Sequence, residues 1–369
     1  MKPVRVLYVS GGSLDRGGIA SWMLGYASHF DRELVAVDFL VHGMEEGPRE
    51  DEALSLGAKV YHVPYRRNDP AGNRRGIRDA ILNGYDVVHA HMDGMNAYPL
   101  SIAKACGVRA CVSHSHNTEF LTGNPIRRAA HMLARSRIPA VATDLLACSE
   151  AAGRFLYGDA LFKAGRVRVI KNAIDARRFR FDPQERRRIR AALGLDGRFV
   201  VGHIGRFDLM QKNQLFLLDA FNSAKAARPE LALVLVGDGP DRGRIENAVR
   251  ALGLERDVVL TGFREDVPAL LSGFDLFVLP SRFEGLGIVL VEAQASGLAC
   301  AASSAVPRDT LISRCDYLPL EWDAWADAMI RAGMDEARAF PEGEIASLGY
   351  DIGAAAHELS DFYREIAKR

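Results

Sequence analysis

A chain of 369 residues exceeds what one hydrophobic core usually organises, so two domains are expected. Its composition, 48% hydrophobic and 25% charged, is that of a globular protein in water, and 47 basic against 47 acidic residues exclude the broad positive field of a nucleic acid binder. Five cysteines without zinc-type spacing read as reduced cytoplasmic thiols, and no apolar stretch approaches the roughly 20 residues that span a bilayer.

In chain order, Val4–Val9 reads as a buried strand running into Gly11, Gly12, Gly17 and Gly18 and then an apolar helix from Ile19. The spacing is not that of a dinucleotide fingerprint, although Gly17 and Gly18 at a helix start can cradle a phosphate. Strand and helix signals alternate from there: strands at Val35–Val41, Lys59–Val63, Asp86–His91, Arg109–Ser113 and Asp144–Cys148, the last followed by Ser149 as a helix N-cap. The fourth of these ends in a polar loop, His114-Ser115-His116-Asn117. Arg177–Arg190 is strongly basic and reads as a linker and surface helix. A second alternating block starts at Phe199, with a helix at Gln214–Ala227, strands at Leu231–Val236 and Val258–Leu260, and an apolar run Leu276–Leu279. The expected division is an N-terminal domain over 1–175 and a C-terminal domain over 176–353, with an amphipathic helix of about 354–369 packing back on the first. Such α/β alternation predicts two Rossmann-like sheets, with ligands at the carboxyl ends of the strands in a central cleft.

The most informative stretch is Pro280–Ala293. A strand leads into a loop holding Gly285 and Gly287, and then a helix from Ile288 whose first free N–H groups, at Ile288 and Val289, form an anion site. Glu284 stands ahead of that site and Glu292 about one turn inside the helix among apolar residues, where a carboxylate needs hydroxyl donors. Arg206 and Lys212, in the loop after another buried strand, suit a diphosphate. Cations for phosphate and carboxylates for hydroxyls together describe a nucleotide-sugar site. Four of the ten histidines form two His-x-His pairs, His89/His91 and His114/His116. With no carboxylate cluster or cysteine spacing beside them, no metal is expected.

These motifs carry a resemblance. Gly17-Gly18, His89–His91, Ser113–Asn117, Ile170–Asp175, His203–Asn213, Leu235–Pro240 and, most specifically, Thr261–Gly297 resemble the family 4 retaining glycosyltransferases of the GT-B fold. Ser113–Asn117 together with Asp323–Ala326 is most similar to the capsular and exopolysaccharide branch. The resemblance implies that Glu284 contacts the donor sugar, Glu292 the ribose, and Arg206 and Lys212 the departing diphosphate. Gly287, Ile288 and Val289 add phosphate contacts, Gly18 closes over them, Gly17 and Gly285 line the donor site, Phe263 lies by the base, and His114 (or His116, one residue of slip away) lies beside the reacting sugar. The sequence departs from the family pattern mildly at Ala173, where Gly is usual, and at Pro307-Arg308-Asp309 in place of Pro-Glu, which borders the sugar and acceptor side and leaves donor choice open there.

The expected activity is transfer of a hexose or N-acetylhexosamine from a nucleotide diphosphate sugar, with UDP the expected base, to a glycan or lipid-linked acceptor, without cofactor. A nucleotide-sugar epimerase and a non-catalytic nucleotide-sugar-binding subunit are the alternatives. The basic, partly amphipathic segment Pro125–Arg137 is expected to give a cytoplasmic protein a peripheral membrane contact, against the plainer reading of a solvated helix.

Overall fold

A computed structural model describes residues 2–119, 125–333 and 337–369. The chain divides into two compact units: Met1–Ile174 with Asp351–Arg369, and Asp175–Tyr350. Each is built on one parallel sheet. The first unit holds β1 (Val4–Ser10), β2 (Val35–His42), β3 (Val60–Val63), β4 (Val87–His91), β5 (Ala110–Ser115), β6 (Asp144–Ala147) and β7 (Val167–Val169), in the order β3-β2-β1-β4-β5-β6-β7. The second holds β8 (Phe199–Ile204), β9 (Leu231–Val236), β10 (Val258–Gly262), β11 (Leu276–Leu279), β12 (Ala299–Ser303) and β13 (Cys315–Leu318), in the order β10-β9-β8-β11-β12-β13. The helices used below are α1 (Gly18–His29), α2 (Pro125–Arg135), α3 (Pro183–Ala192), α4 (Gln214–Ala227), α5 (Ile288–Ala295) and α6 (Ile352–Ile366).

The central strands are continuous apolar runs because helices cover both faces of each sheet, leaving no wet face to demand alternation. In the second unit one face packs Phe199, Val201, Leu233 and Val278 with Phe221 of α4 and Trp325, and the other packs Val200, Val234 and Phe277 with Ile189 of α3 and Leu290 of α5. In the first unit Ile352, Ala356, Leu359, Phe362 and Tyr363 of α6 join the core of Tyr8, Trp22, Tyr26 and Phe39. A single bridge, Ile174 to Asp351, sets the start of α6, and the Asp351 carboxylate caps it by accepting from Ala354 N (2.8 Å).

Two expectations are corrected. β5 runs to Ser115, so His114 and Ser115 are strand residues inside the sheet, not loop residues after it. The basic segment before β8 is no plain surface helix either. Arg186 and Arg190 of α3 are buried, and both guanidiniums donate to Asp275, at 2.6 and 3.0 Å. The same carboxylate accepts from Val200 N at the start of β8 (2.7 Å), so one buried acid ties α3, β8 and the entry to β11 together. The i, i+4 spacing puts both arginines on one face of α3, which turns inward.

In an open parallel sheet the crevice lies where strand order reverses. Here that is between β1 and β4 in the first unit and between β8 and β11 in the second.

Candidate functional site

At the β8/β11 switch point two loops are laced together. The first, Gly205–Asn213, follows β8; the second, Pro280–Gly287, follows β11. Arg282 N donates to Gln211 O (2.8 Å), and Arg282 Nη2 to Asn213 Oδ1 (2.9 Å). Asn213 takes a left-handed backbone (φ 60°), turning the chain directly into α4. Between the loops sits Glu284, only 5% exposed. Its Oε1 accepts from Lys212 Nζ (2.6 Å) and Ser281 Oγ (2.6 Å), and its Oε2 from Gln211 Nε2 (3.3 Å). Glu284 is therefore a buried, paired carboxylate rather than a solvated loop residue. The Lys212 stem passes over Gly205, where a β-carbon would stand 3.1 Å from Lys212 Cε, so a side chain at 205 would push the ammonium away from its partner.

A buried pair that motif reading did not pick out holds the first loop from beneath. His203 Nδ1 faces Val278 O (3.0 Å), which places the proton on Nδ1 and leaves Nε2 as acceptor for the Gln214 amide (3.5 Å). Gln214 Nε2 also donates to Arg206 O (2.9 Å). Burial drives His203 down to about 4, so it stays neutral and this tautomer persists at physiological pH. The Arg206 guanidinium stands exposed above, with no side-chain partner among the described residues.

Gly287, in the left-handed region (φ 83°), opens α5, and a β-carbon there would approach Glu284 Cγ to 3.5 Å and Val306 Cγ1 to 3.4 Å. Ile288 and Val289 supply the first N–H groups, which have no helical carbonyl to bond. Glu292 lies one turn on, partly exposed. Desolvation pushes its carboxyl up to about 7, only partly offset by Arg178. Phe263, after β10, is 42% exposed. The second unit thus joins Lys212 and Glu284 directly, packs Gly287 beside them, carries Arg206 and Gly285 on the same loops and Ile288, Val289 and Glu292 on α5, and places Phe263 just after β10, two strands from β8. One exposed cation, one paired cation, open helix N–H groups and two carboxyl groups can bind an anion and hydroxyls together.

Gly17, Gly18, His114 and His116 belong to the first unit. Gly17 and Gly18 are exposed at the start of α1, with Gly17 N donating to Asp15 Oδ1 (2.8 Å). His114 is 0% exposed and His116 6%, both packed against Trp22, so neither ring reaches a sugar without movement of the surrounding side chains. His91 is buried as well, at 1% exposure. It borders a cavity of about 350 Å³ at the β1/β4 switch point, along with Ser10, Gly12, Asp15, Asp93 and Asn117.

Sequence and fold comparisons show what the chain is similar to. The profile of the Glycosyl transferase 4-like domain matches residues 17–173, and that of Glycosyl transferases group 1 matches residues 198–335. The putative glycosyltransferase EpsF of Bacillus subtilis is 37% identical over 371 residues, covering 97% of this chain and 96% of EpsF. An Escherichia coli UDP-Gal:alpha-D-GlcNAc-diphosphoundecaprenol alpha-1,3-galactosyltransferase is 27% identical over 76% of each chain. In fold, the chain is similar to Anabaena HepE crystallised with UDP and glucose, with a TM-score of 0.80 at 22% identity, over 98% of this chain and 99% of HepE. Two profiles that together span both units, and a relative matched almost end to end, place this chain in the family 4, group 1 glycosyltransferases, on the GT-B fold.

Proposed function

We propose that the chain moves a hexose or N-acetylhexosamine from UDP-sugar to a glycan or polyprenyl-diphosphate-linked acceptor in capsule or exopolysaccharide synthesis, with retention of configuration and without a metal at the diphosphate. The observation that carries this reading is the Lys212–Glu284 pair, held by Ser281 and Gln211 between the two loops of the switch point. The choice of UDP and of a lipid-linked acceptor is supported by the UDP complex of HepE and the named reaction of the E. coli relative.

In this reading Arg206 and Lys212 neutralise the diphosphate as the C1–O bond breaks, aided by the α5 N–H groups. Glu284 accepts hydrogen bonds from sugar hydroxyls and Glu292 from the ribose, while Phe263 covers the base. The acceptor hydroxyl oxygen forms the new bond to C1, and its proton passes to the departing phosphate oxygen, so no protein nucleophile takes part. Following the product anomer by NMR from an α-linked donor tests this: an α product is expected, and a β product overturns retention.

Glu292 gives the site a pH signature. Its carboxyl, raised to about 7, must ionise to accept ribose hydroxyls, so UDP affinity should rise as pH rises through about 7. Stability should run the other way. Between about 4.3 and about 7 the native state holds a proton the unfolded chain has lost, so this residue lowers stability as pH rises through that window. Calorimetric UDP titrations at several pH values check the first effect, and Glu292→Gln should flatten both slopes.

Membrane contact is proposed through α2, which exposes Arg128, Met132 (51%) and Leu133 (61%), while Arg135 is pinned to Phe155 O (2.8 Å). No helix among the described residues is long and apolar enough to cross a bilayer. Sedimentation with anionic vesicles at low salt should carry the protein down, and Leu133→Glu should abolish this. Failure of the wild type to sediment removes the proposal.

A further inference from the structure

The first unit buries four imidazoles side by side, His89 and His91 on β4, His114 on β5 and His116 just past its end. Their hydrogen bonds can be traced. Tyr363 OH donates to Tyr8 OH (3.1 Å) and so accepts from His89 Nδ1 (2.6 Å). That leaves His89 Nε2 bare to accept from His114 Nδ1 (3.2 Å). His91 Nδ1 meets His116 Nε2 (2.8 Å). At the end of these chains His91 Nε2 and His114 Nε2 are buried with no partner among the described residues. Two orphaned nitrogens in one cluster are costly unless something binds them.

We propose that His89, His91 and His114 form a binding site for one divalent transition-metal ion of the zinc class, a structural tie between β4 and β5. Each ring offers a nitrogen lying within 4.8 Å of the other two, and the ion takes the His89 Nε2 lone pair that otherwise accepts from His114 Nδ1. Nitrogens around a tetrahedral zinc at about 2.0–2.1 Å stand about 3.3 Å apart, so binding draws the rings inward. Metal-bound histidines donate their second nitrogen to a fixed partner, and two of the three already have one: Tyr363 for His89 and His116 for His91. Three imidazole nitrogens, with no carboxylate among the ligands, select zinc-class ions over magnesium or calcium. Of the three rings His91 borders the cavity, the side from which, in this proposal, the ion enters and a solvent water completes its coordination. The ion takes no part in the diphosphate chemistry proposed above, and the inference stands independently of it.

The test uses the full chain, stripped with a chelator and titrated with Zn²⁺ or Co²⁺ alone. One ion per chain, the visible bands of tetrahedral cobalt, and a raised thermal midpoint are expected. X-ray absorption of the zinc-loaded wild type should show a nitrogen shell at about 2.0–2.1 Å with imidazole scattering. His91→Phe, which keeps the contact with Trp22 but removes the nitrogen, should lose the cobalt bands. Absence of a stoichiometric ion, sulfur in the zinc shell, or bands that survive in His91→Phe overturns the proposal. If His91→Phe does not fold, the wild-type absorption spectrum decides alone.

Discussion

Glu284→Gln is expected to lower sugar transfer by about 10²–10³-fold, the range seen when one preorganised polar group is removed from a transition-state site. The change is nearly isosteric, so the loops should stay in place. The charge is what goes. Lys212 Nζ, 2.6 Å from Glu284 Oε1 and only 13% exposed at its side chain, loses its anionic partner. An amide also brings a donor to a position where sugar hydroxyls need an acceptor. Steady-state turnover at saturating donor, with circular dichroism to confirm folding, measures the effect. Turnover near that of the wild type would remove Glu284 from the site. Because Lys212 and Glu284 share one bond, the Lys212→Met and Glu284→Gln losses should fall well short of adding in the double variant.

Asp275→Ala should cost about 3–5 kcal/mol of stability, the expected result of stripping the counter-ion from a buried pair. Its side chain is 1% exposed, with Arg186 and Arg190 10% and 9% exposed against it. Removing it strands two guanidiniums, although each keeps a backbone acceptor, Phe274 O for Arg186 (3.0 Å) and Gly273 O for Arg190 (3.1 Å). Val200 N at the start of β8 also loses its bond. Urea unfolding reads the loss as a fall in midpoint. The contrast is Glu342→Ala, which breaks the Arg177–Glu342 pair (3.1 Å) where both side chains are largely exposed, and should leave the midpoint unchanged.

Much of the architecture was legible in the sequence because parallel strands covered on both faces leave long apolar runs between glycine-rich turns. Gln214–Ala227 has the bounds read from its pattern, and Ser149 does cap its helix by accepting from Ala152 N (3.1 Å). What stayed hidden depends on partners distant in sequence. His114 and Ser115 look like loop residues until β6 pairs with them inside the sheet. Arg186 and Arg190 look solvated until Asp275, about 85 positions on, is placed between them. β12 and β13 escape because Ala-Cys-Ala-Ala-Ser and Cys-Asp-Tyr-Leu carry little strand signal; tertiary pairing, not propensity, makes them strands. In the candidate site the residue types of Glu284, Glu292, Arg206 and Lys212 were readable from spacing. The Lys212–Glu284 bond and the His203–Gln214 support were not, since each joins separate elements.

The measurement that tests the central claim most directly is a thermal-shift panel of UDP, GDP, ADP and their common sugars, each with and without EDTA and referred to a nucleotide-free control in the same buffer. A ligand that binds only the native chain raises the midpoint by mass action. The account predicts a clear rise with UDP or a UDP-sugar, of the same size with EDTA present, and reduced in Glu284→Gln and Glu292→Gln. A folded sample that shifts with no nucleotide, or whose UDP shift vanishes with EDTA, would contradict it.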